Sequence, residues 1–158
     1  ALRDSTSTSS GAMLSAAKAG DLKKVKELCE AGTSIDSKDE YGRTALLYAS
    51  RSGHLEVVKY ALEKKCNIDA RTESGRTSLI YAVHEGEDAI VKVLLEAKAN
   101  VNVADSEGYT ALMVAASNGN ADITKLLKAS GANVQAKDKN GETASSLAKN
   151  NDIREILK

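Results

Sequence analysis

The chain contains no proline, phenylalanine or tryptophan, and only two cysteines. Without Phe or Trp, bulky rings cannot fill a core. Burial falls to Ala, Leu, Val and Ile with five Tyr, a palette suited to small, closely packed helices. Cys29 and Cys66 form no CxxC pair and no framework of several bridges. They read as two reduced, small hydrophobes, with a mutual disulfide or redox sensing as the alternative. Neither sign of charge dominates: 22 Lys plus Arg balance 22 Asp plus Glu, which leaves no whole-molecule field to draw nucleic acid or an anionic membrane. No apolar run approaches the roughly 18–20 residues of a membrane span, and no signal-peptide-like apolar stretch stands near the start. A soluble, cytoplasmic, monomeric chain is expected.

Signatures of catalysis are missing as well. There is no GxxxxGK[ST] phosphate loop, no GxGxxG, no HExxH and no calcium loop. His54 and His84 lack Cys or carboxylate neighbours at ligand spacing. Glu87 and Asp88 are accounted for by the favourable placement of carboxylates at a helix start. No enzyme activity, cofactor or metal is expected.

What is present is a period. "YGRTALLYAS" (41–50) returns as "SGRTSLIYAV" (74–83), "EGYTALMVAA" (107–116) and, most eroded, "NGETASSLAK" (140–149). Gly42, Gly75, Gly108 and Gly141 are 33 residues apart, as are Thr44, Thr77, Thr110 and Thr143. Within residues 39–71, Asp39 to Gly42 reads as a turn. Thr44 caps a short helix carrying Leu46 and Ala49 on one face. Ser52-Gly53 breaks that helix, and a second, amphipathic helix runs from about His54 to Lys64 with Leu55, Val58 and Leu62 inward. "CNIDAR" then leads as an extended finger to the next turn. One such unit encloses too little volume to offset its chain entropy, so copies must stack. The register agrees: Leu46, Leu79 and Leu112 coincide, as do Ala49, Ala82 and Ala115, and Val57, Ile90 and Ile123.

The unit resembles an ankyrin repeat, whose pattern is D-x-x-G-x-T-P-L-H-x-A-A followed by G-H-x-E-V-V-K-L-L-L-x-x-G-A-D-V-N; "SGHLEVVKYALEKKCNID" is close to the second half. The resemblance covers residues 11–158. It implies an all-α repeat solenoid of stacked helix-turn-helix units with projecting β-hairpin or finger loops. Full copies are expected at 39–71, 72–104 and 105–137, an N-terminal capping unit at 11–38 and a truncated C-terminal unit at 138–158. Residues 1–10, "ALRDSTSTSS", are expected to be a disordered tail or linker. A first residue other than Met and an end inside a unit suggest excision from a longer chain.

Departures from the pattern carry their own expectations. The family histidine that bonds between turns is replaced by Leu47, Ile80 and Met113, which predicts drier joints. The glycine after the outer helix survives as Gly32 and Gly131 but is Lys65 and Lys98 in the central units. Lys128 replaces a leucine matching Leu62 and Leu95, which predicts a poorly packed fourth outer helix.

Ankyrin-like proteins generally hold other proteins on a concave face built from finger tips and inner helices. Transferred to matching positions, this nominates Tyr41, Arg43, Arg51, Glu73, Arg76, Tyr81, His84, Glu107 and Tyr109. Lys38, Arg43, Arg51, Arg71 and Arg76 outnumber Glu40, Glu73 and Glu85 there, favouring an acidic partner segment. Tyr48 and Tyr81 are expected to be half-buried, stacking across a joint. The leading expectation is therefore a protein-binding module. A structural spacer within a larger protein is the alternative, and an enzyme or metal protein the third reading.

Overall fold

The computed structural model describes residues 5–158. Ten helices follow one another: α1 (Ser5–Ala19), α2 (Leu22–Glu30), α3 (Ala45–Ser52), α4 (Leu55–Glu63), α5 (Ser78–His84), α6 (Asp88–Glu96), α7 (Ala111–Asn118), α8 (Ala121–Ala129), α9 (Ala144–Leu147) and α10 (Asn151–Leu157). The odd-numbered helices pack side by side in an inner row and the even-numbered ones in an outer row, each helix also touching its own pair-mate. This is an all-α repeat solenoid. The loops that project between pairs close as turns, and among the described residues the extended pairing is confined to an isolated bridge between Lys38 and Thr44.

Each inner helix after the first starts on a threonine. The hydroxyls of Thr44, Thr77, Thr110 and Thr143 accept from the backbone N–H of Leu47, Ile80, Met113 and Ser146 at 3.2–3.3 Å, satisfying first-turn donors that have no partner inside the helix. The core is periodic: Leu46, Leu79, Leu112, Ala49, Ala82, Ala115, Val57, Ile90 and Ile123 are all buried. Leu47, Ile80 and Met113 are buried too, so the joints are apolar where the family carries histidine.

Two backbone ladders tie neighbouring units. On the tip side, Glu73 N–H donates to Tyr41 C=O, Ser106 to Ser74 and Lys139 to Glu107, at 2.9–3.1 Å. On the far side, Asn67, Asn100 and Asn133 N–H groups donate to the side chains of Asp36, Asp69 and Asn102 one unit earlier, at 2.8–2.9 Å. "CNIDAR" folds as a turn, with Ala70 N–H donating to Asn67 C=O.

Four expectations change. Within the supposed tail, residues from Ser5 onward are helical, while residues 1–4 lie outside the described residues. The segment contains no helix breaker, and it continues a helix whose Met13 and Ala17 are fully buried, so a docked segment propagates backwards through Ser and Thr. In α4 the buried residues are Val57, Val58, Tyr60 and Ala61, with Leu55 and Leu62 only partly covered. Because Leu62 and Leu95 mark a half-exposed position, Lys128 costs little there. It reaches over α10 instead, donating from Nζ to the carbonyls of Ile156 (2.8 Å) and Lys158 (2.6 Å), as a cation at a helix C-terminus should. Finally, Arg71 is engaged with backbone, donating to Gly75 C=O and, across the joint, to Ala104 C=O. It is a tie between units.

Lys65 (φ 59°) and Lys98 (φ 70°) are left-handed, in the place where Gly32 and Gly131 serve other units. A side chain in that region costs on the order of 1 kcal/mol relative to Gly. Both lysines are exposed and carry no side-chain bond among the described residues. Lys65→Gly and Lys98→Gly should each raise the melting temperature by about 2–4 °C in thermal denaturation; a fall would mean that the lysine side chain makes a contact the protein needs.

Candidate partner-binding face

The tip turns are built on the first residue of each unit. Asp39 Oδ1 accepts from the N–H groups of Tyr41 and Arg43, both at 2.9 Å. Asp105 does the same for Glu107 and Tyr109, and Asp138 for Asn140 and Glu142. In the second unit Thr72 takes this position, its hydroxyl accepting from Arg76 N–H at 3.2 Å. These side chains hold the tips shut and project the next residues onto the inner-helix face.

The second carboxylate oxygen distinguishes the units. Asp39 Oδ2 accepts from Arg43 Nε (2.7 Å) and from the Tyr48 hydroxyl (2.6 Å). Asp105 Oδ2 accepts from Arg76 Nε of the preceding unit at 3.3 Å. Asp138 Oδ2 is buried with no partner among the described residues. The residue one period after Arg76 is Tyr109, which supplies no guanidinium, and the residue matching Tyr48 is Leu147. Burial alone would raise the Asp39 carboxyl, but the bonds from Tyr48, Arg43 and Tyr41 outweigh it and hold the group at about 2. Conversely, burial and then the bond to Asp39 push the Tyr48 hydroxyl up, and Arg43's own bond to Asp39 raises its guanidinium.

Arginines and tyrosines alternate along the face. The Arg43 guanidinium lies 4.8 Å from the Tyr41 ring centre and 5.3 Å from that of Tyr48. Arg51 lies 5.6 Å from Tyr48 and 5.9 Å from Tyr81, and Arg76 lies 5.7 Å from Tyr81. Tyr48 and Tyr81, expected to meet across the joint, therefore share Arg51 between them. Tyr48 is more deeply buried than expected, at 8% exposure, while Tyr41 at 49% is the most open large hydrophobic side chain among the described residues.

Two clefts open on this face. The first, about 400 Å³, brings together Tyr41, Arg43, Glu73 and Tyr81 with Thr72 and Ser74. The second, about 260 Å³, brings together Arg76, His84 and Tyr109 with Met113, Val114 and Leu147. Arg76 of the second cleft lies over Tyr81 of the first and links them, while Arg51 lines neither and lies beside Tyr81. Glu107 lines neither cleft; it is exposed, and its carbonyl is part of the tip-side ladder. His84 is exposed, 3.3 Å from Glu85. His54 instead sits at the start of α4 with Nε2 3.0 Å from Lys18 C=O, a structural place.

Sequence reasoning missed Asp39, Asp105 and Tyr48 as organisers of the face. The signal was there in part, since Asp39, Asp105 and Asp138 fall on the 33-residue period. Both thiols are free. Cys66 is pushed up to about 11 by burial and then by the charge of Asp36, so it stays protonated at neutral pH. No helix among the described residues is long and apolar enough to cross a membrane.

A family model described as ankyrin repeats (3 copies) matches residues 13–105, and one described as ankyrin repeats (many copies) matches residues 90–148. No curated protein matches the chain.

Proposed function

Because this chain belongs to the ankyrin repeat family, whose members are in general non-catalytic protein–protein interaction modules, we propose that it grips a partner protein along its tip turns and inner helices. Tyr41, Arg43, Arg51, Glu73, Arg76, Tyr81, His84 and Tyr109 form the contact set, with Glu107 at the rim. The observation that carries this reading is the continuous Arg–Tyr alternation across two adjoining clefts. Tyr and Arg combine large contact area with donor groups, and they dominate binding hot spots elsewhere. Rings that already stack on guanidinium groups lose little freedom when a partner arrives. An acidic segment is the partner chemistry that Arg51 favours, since it has no carboxylate within 4.0 Å among the described residues.

The test is capture of proteins on the immobilised chain, beside a Tyr41→Ala/Arg43→Ala/Arg76→Ala variant whose thermal unfolding is measured in parallel. Hot-spot losses of about 2 kcal/mol each would weaken a true partner well over a hundredfold, so it should vanish from the variant. Equal retention by both proteins, or none by either, would instead favour a structural spacer.

A further inference from the structure

Of the three arginines in the ladder, two are already committed. Arg43 Nε is bonded to Asp39 and Arg76 Nε to Asp105. Arg51 has no carboxylate within 4.0 Å and no hydrogen bond among the described residues, although Glu73 and Glu85 are on the same face. Its guanidinium lies 5.6 Å from the Tyr48 ring centre and 5.9 Å from that of Tyr81, and the residue is only partly exposed. Tyr48 is in turn fixed by its 2.6 Å bond to Asp39.

Stacking occupies the faces of a guanidinium and leaves its edge, with five N–H donors, free for a planar acceptor. A solvent-exposed lysine-like cation would keep its water. The Arg51 guanidinium lies 5.6 and 5.9 Å from two ring centres on a partly exposed residue, so its donors gain more from an anion of the right shape than those of a fully hydrated cation. Asp39 matches Arg43 and Asp105 matches Arg76, while Arg51 has no carboxylate within 4.0 Å among the described residues.

Resting on the binding role proposed above, the geometry points to Arg51 as the anchor for an Asp or Glu side chain of an extended partner segment, taken bidentate at the guanidinium edge between Tyr48 and Tyr81. The cleft that Tyr81 lines, and the one beyond it at Arg76, receive that segment's neighbouring residues.

The test uses fluorescein-labelled, end-blocked ten-residue peptides in which Glu alternates with Ser, a Gln-for-Glu counterpart, and a third with phosphotyrosine at the central Glu position. Fluorescence anisotropy is followed on the full chain at low salt. The Glu peptide should bind at least tenfold more tightly than the Gln peptide. Arg51→Gln should weaken it about tenfold, with Arg51→Lys in between, because Lys keeps the charge but loses the planar fork. Lys92→Gln, exposed on outer helix α6, should change nothing, and thermal unfolding of each variant checks its fold. The anchor is overturned by equal Glu and Gln binding, by indifference to Arg51→Gln, or by an equal loss in Lys92→Gln, which would show unspecific charge attraction. Tighter binding of the phosphotyrosine peptide would overturn the commitment to a carboxylate. A captured partner lost from the Tyr41/Arg43/Arg76 variant yet indifferent to Arg51→Gln would sink the anchor and leave the binding role standing.

Discussion

Gly108→Ala should destabilise the protein by about 2–4 kcal/mol, whereas the same change one period later, at Gly141, should cost only about 1 kcal/mol. Both glycines are left-handed, at φ +83° and +79°, so a side chain pays a similar backbone penalty at each. They differ in what a Cβ would meet. At Gly108 it would lie 2.9 Å from Asp138 Cα and 3.0 Å from Lys139 N, backbone atoms that cannot rotate aside; at Gly141 nothing lies within 4 Å. Relief requires the third and fourth units to part at the tip, and this lengthens the bond from Lys139 N–H to Glu107 C=O. Gly42 belongs between the extremes, with Arg71 C=O at 3.2 Å. Urea denaturation of the three variants checks the ranking. Equal losses at Gly108 and Gly141 would show that backbone conformation alone explains these glycines and that the close approach between tips is unimportant.

The second large effect is expected at Asp39. Its carboxylate accepts four hydrogen bonds, from Tyr41 N–H, Arg43 N–H, Arg43 Nε and the Tyr48 hydroxyl. With a net worth of about 0.5–1.5 kcal/mol for each such bond, and with the side chain 20% exposed, Asp39→Ala should cost about 2–3 kcal/mol. Asp39→Asn keeps an oxygen for the turn but loses the charge, and should fall between. The pH dependence has a definite sign. The folded carboxyl is held at about 2, below its ordinary value of 3.8. Its contribution is therefore complete above pH 4 or so and is lost as the pH falls through 3.8 toward 2. The stability gap between the wild-type chain and Asp39→Ala should narrow over that window. A gap that stays constant from pH 5 to pH 2.5 would mean that the carboxylate charge is not what the site uses.

The architecture was legible because it is written many times over. One faint Gly-x-Thr would mean little, but four in step, with Leu, Ala and Ile or Val in step behind them, determine caps, core and stacking together. Side-chain partnership within the face was not legible, since it depends on neighbours a whole period away. Arg43 and Arg76 occupy the same register, yet they bond differently. Arg76 reaches forward to Asp105, whereas the forward position for Arg43 is Thr72, which offers no carboxylate, and Arg43 turns back to its own Asp39. Tyr109 then leaves Asp138 Oδ2 without a donor. Helix boundaries at α1 were hidden for another reason: Ser and Thr are poor helix formers alone, and docking of the following turns overrides them.

The ladders between units also bear on how the chain reaches its folded state. The inter-unit side-chain bonds named above span at most 36 residues, the longest running from His54 to Lys18, and the packed helix pairs are neighbours or next neighbours in order. No strand has to find a partner from the far end of the chain. Contact order stays low however many periods are joined, so the folding rate is governed by closing one 33-residue loop, a cost that rises only slowly with length. Any well-matched pair of units can nucleate, and growth proceeds outward in both directions from there. Among the described residues the fourth unit leaves the Asp138 Oδ2 atom buried without a donor, a cost that growth into that unit has to meet.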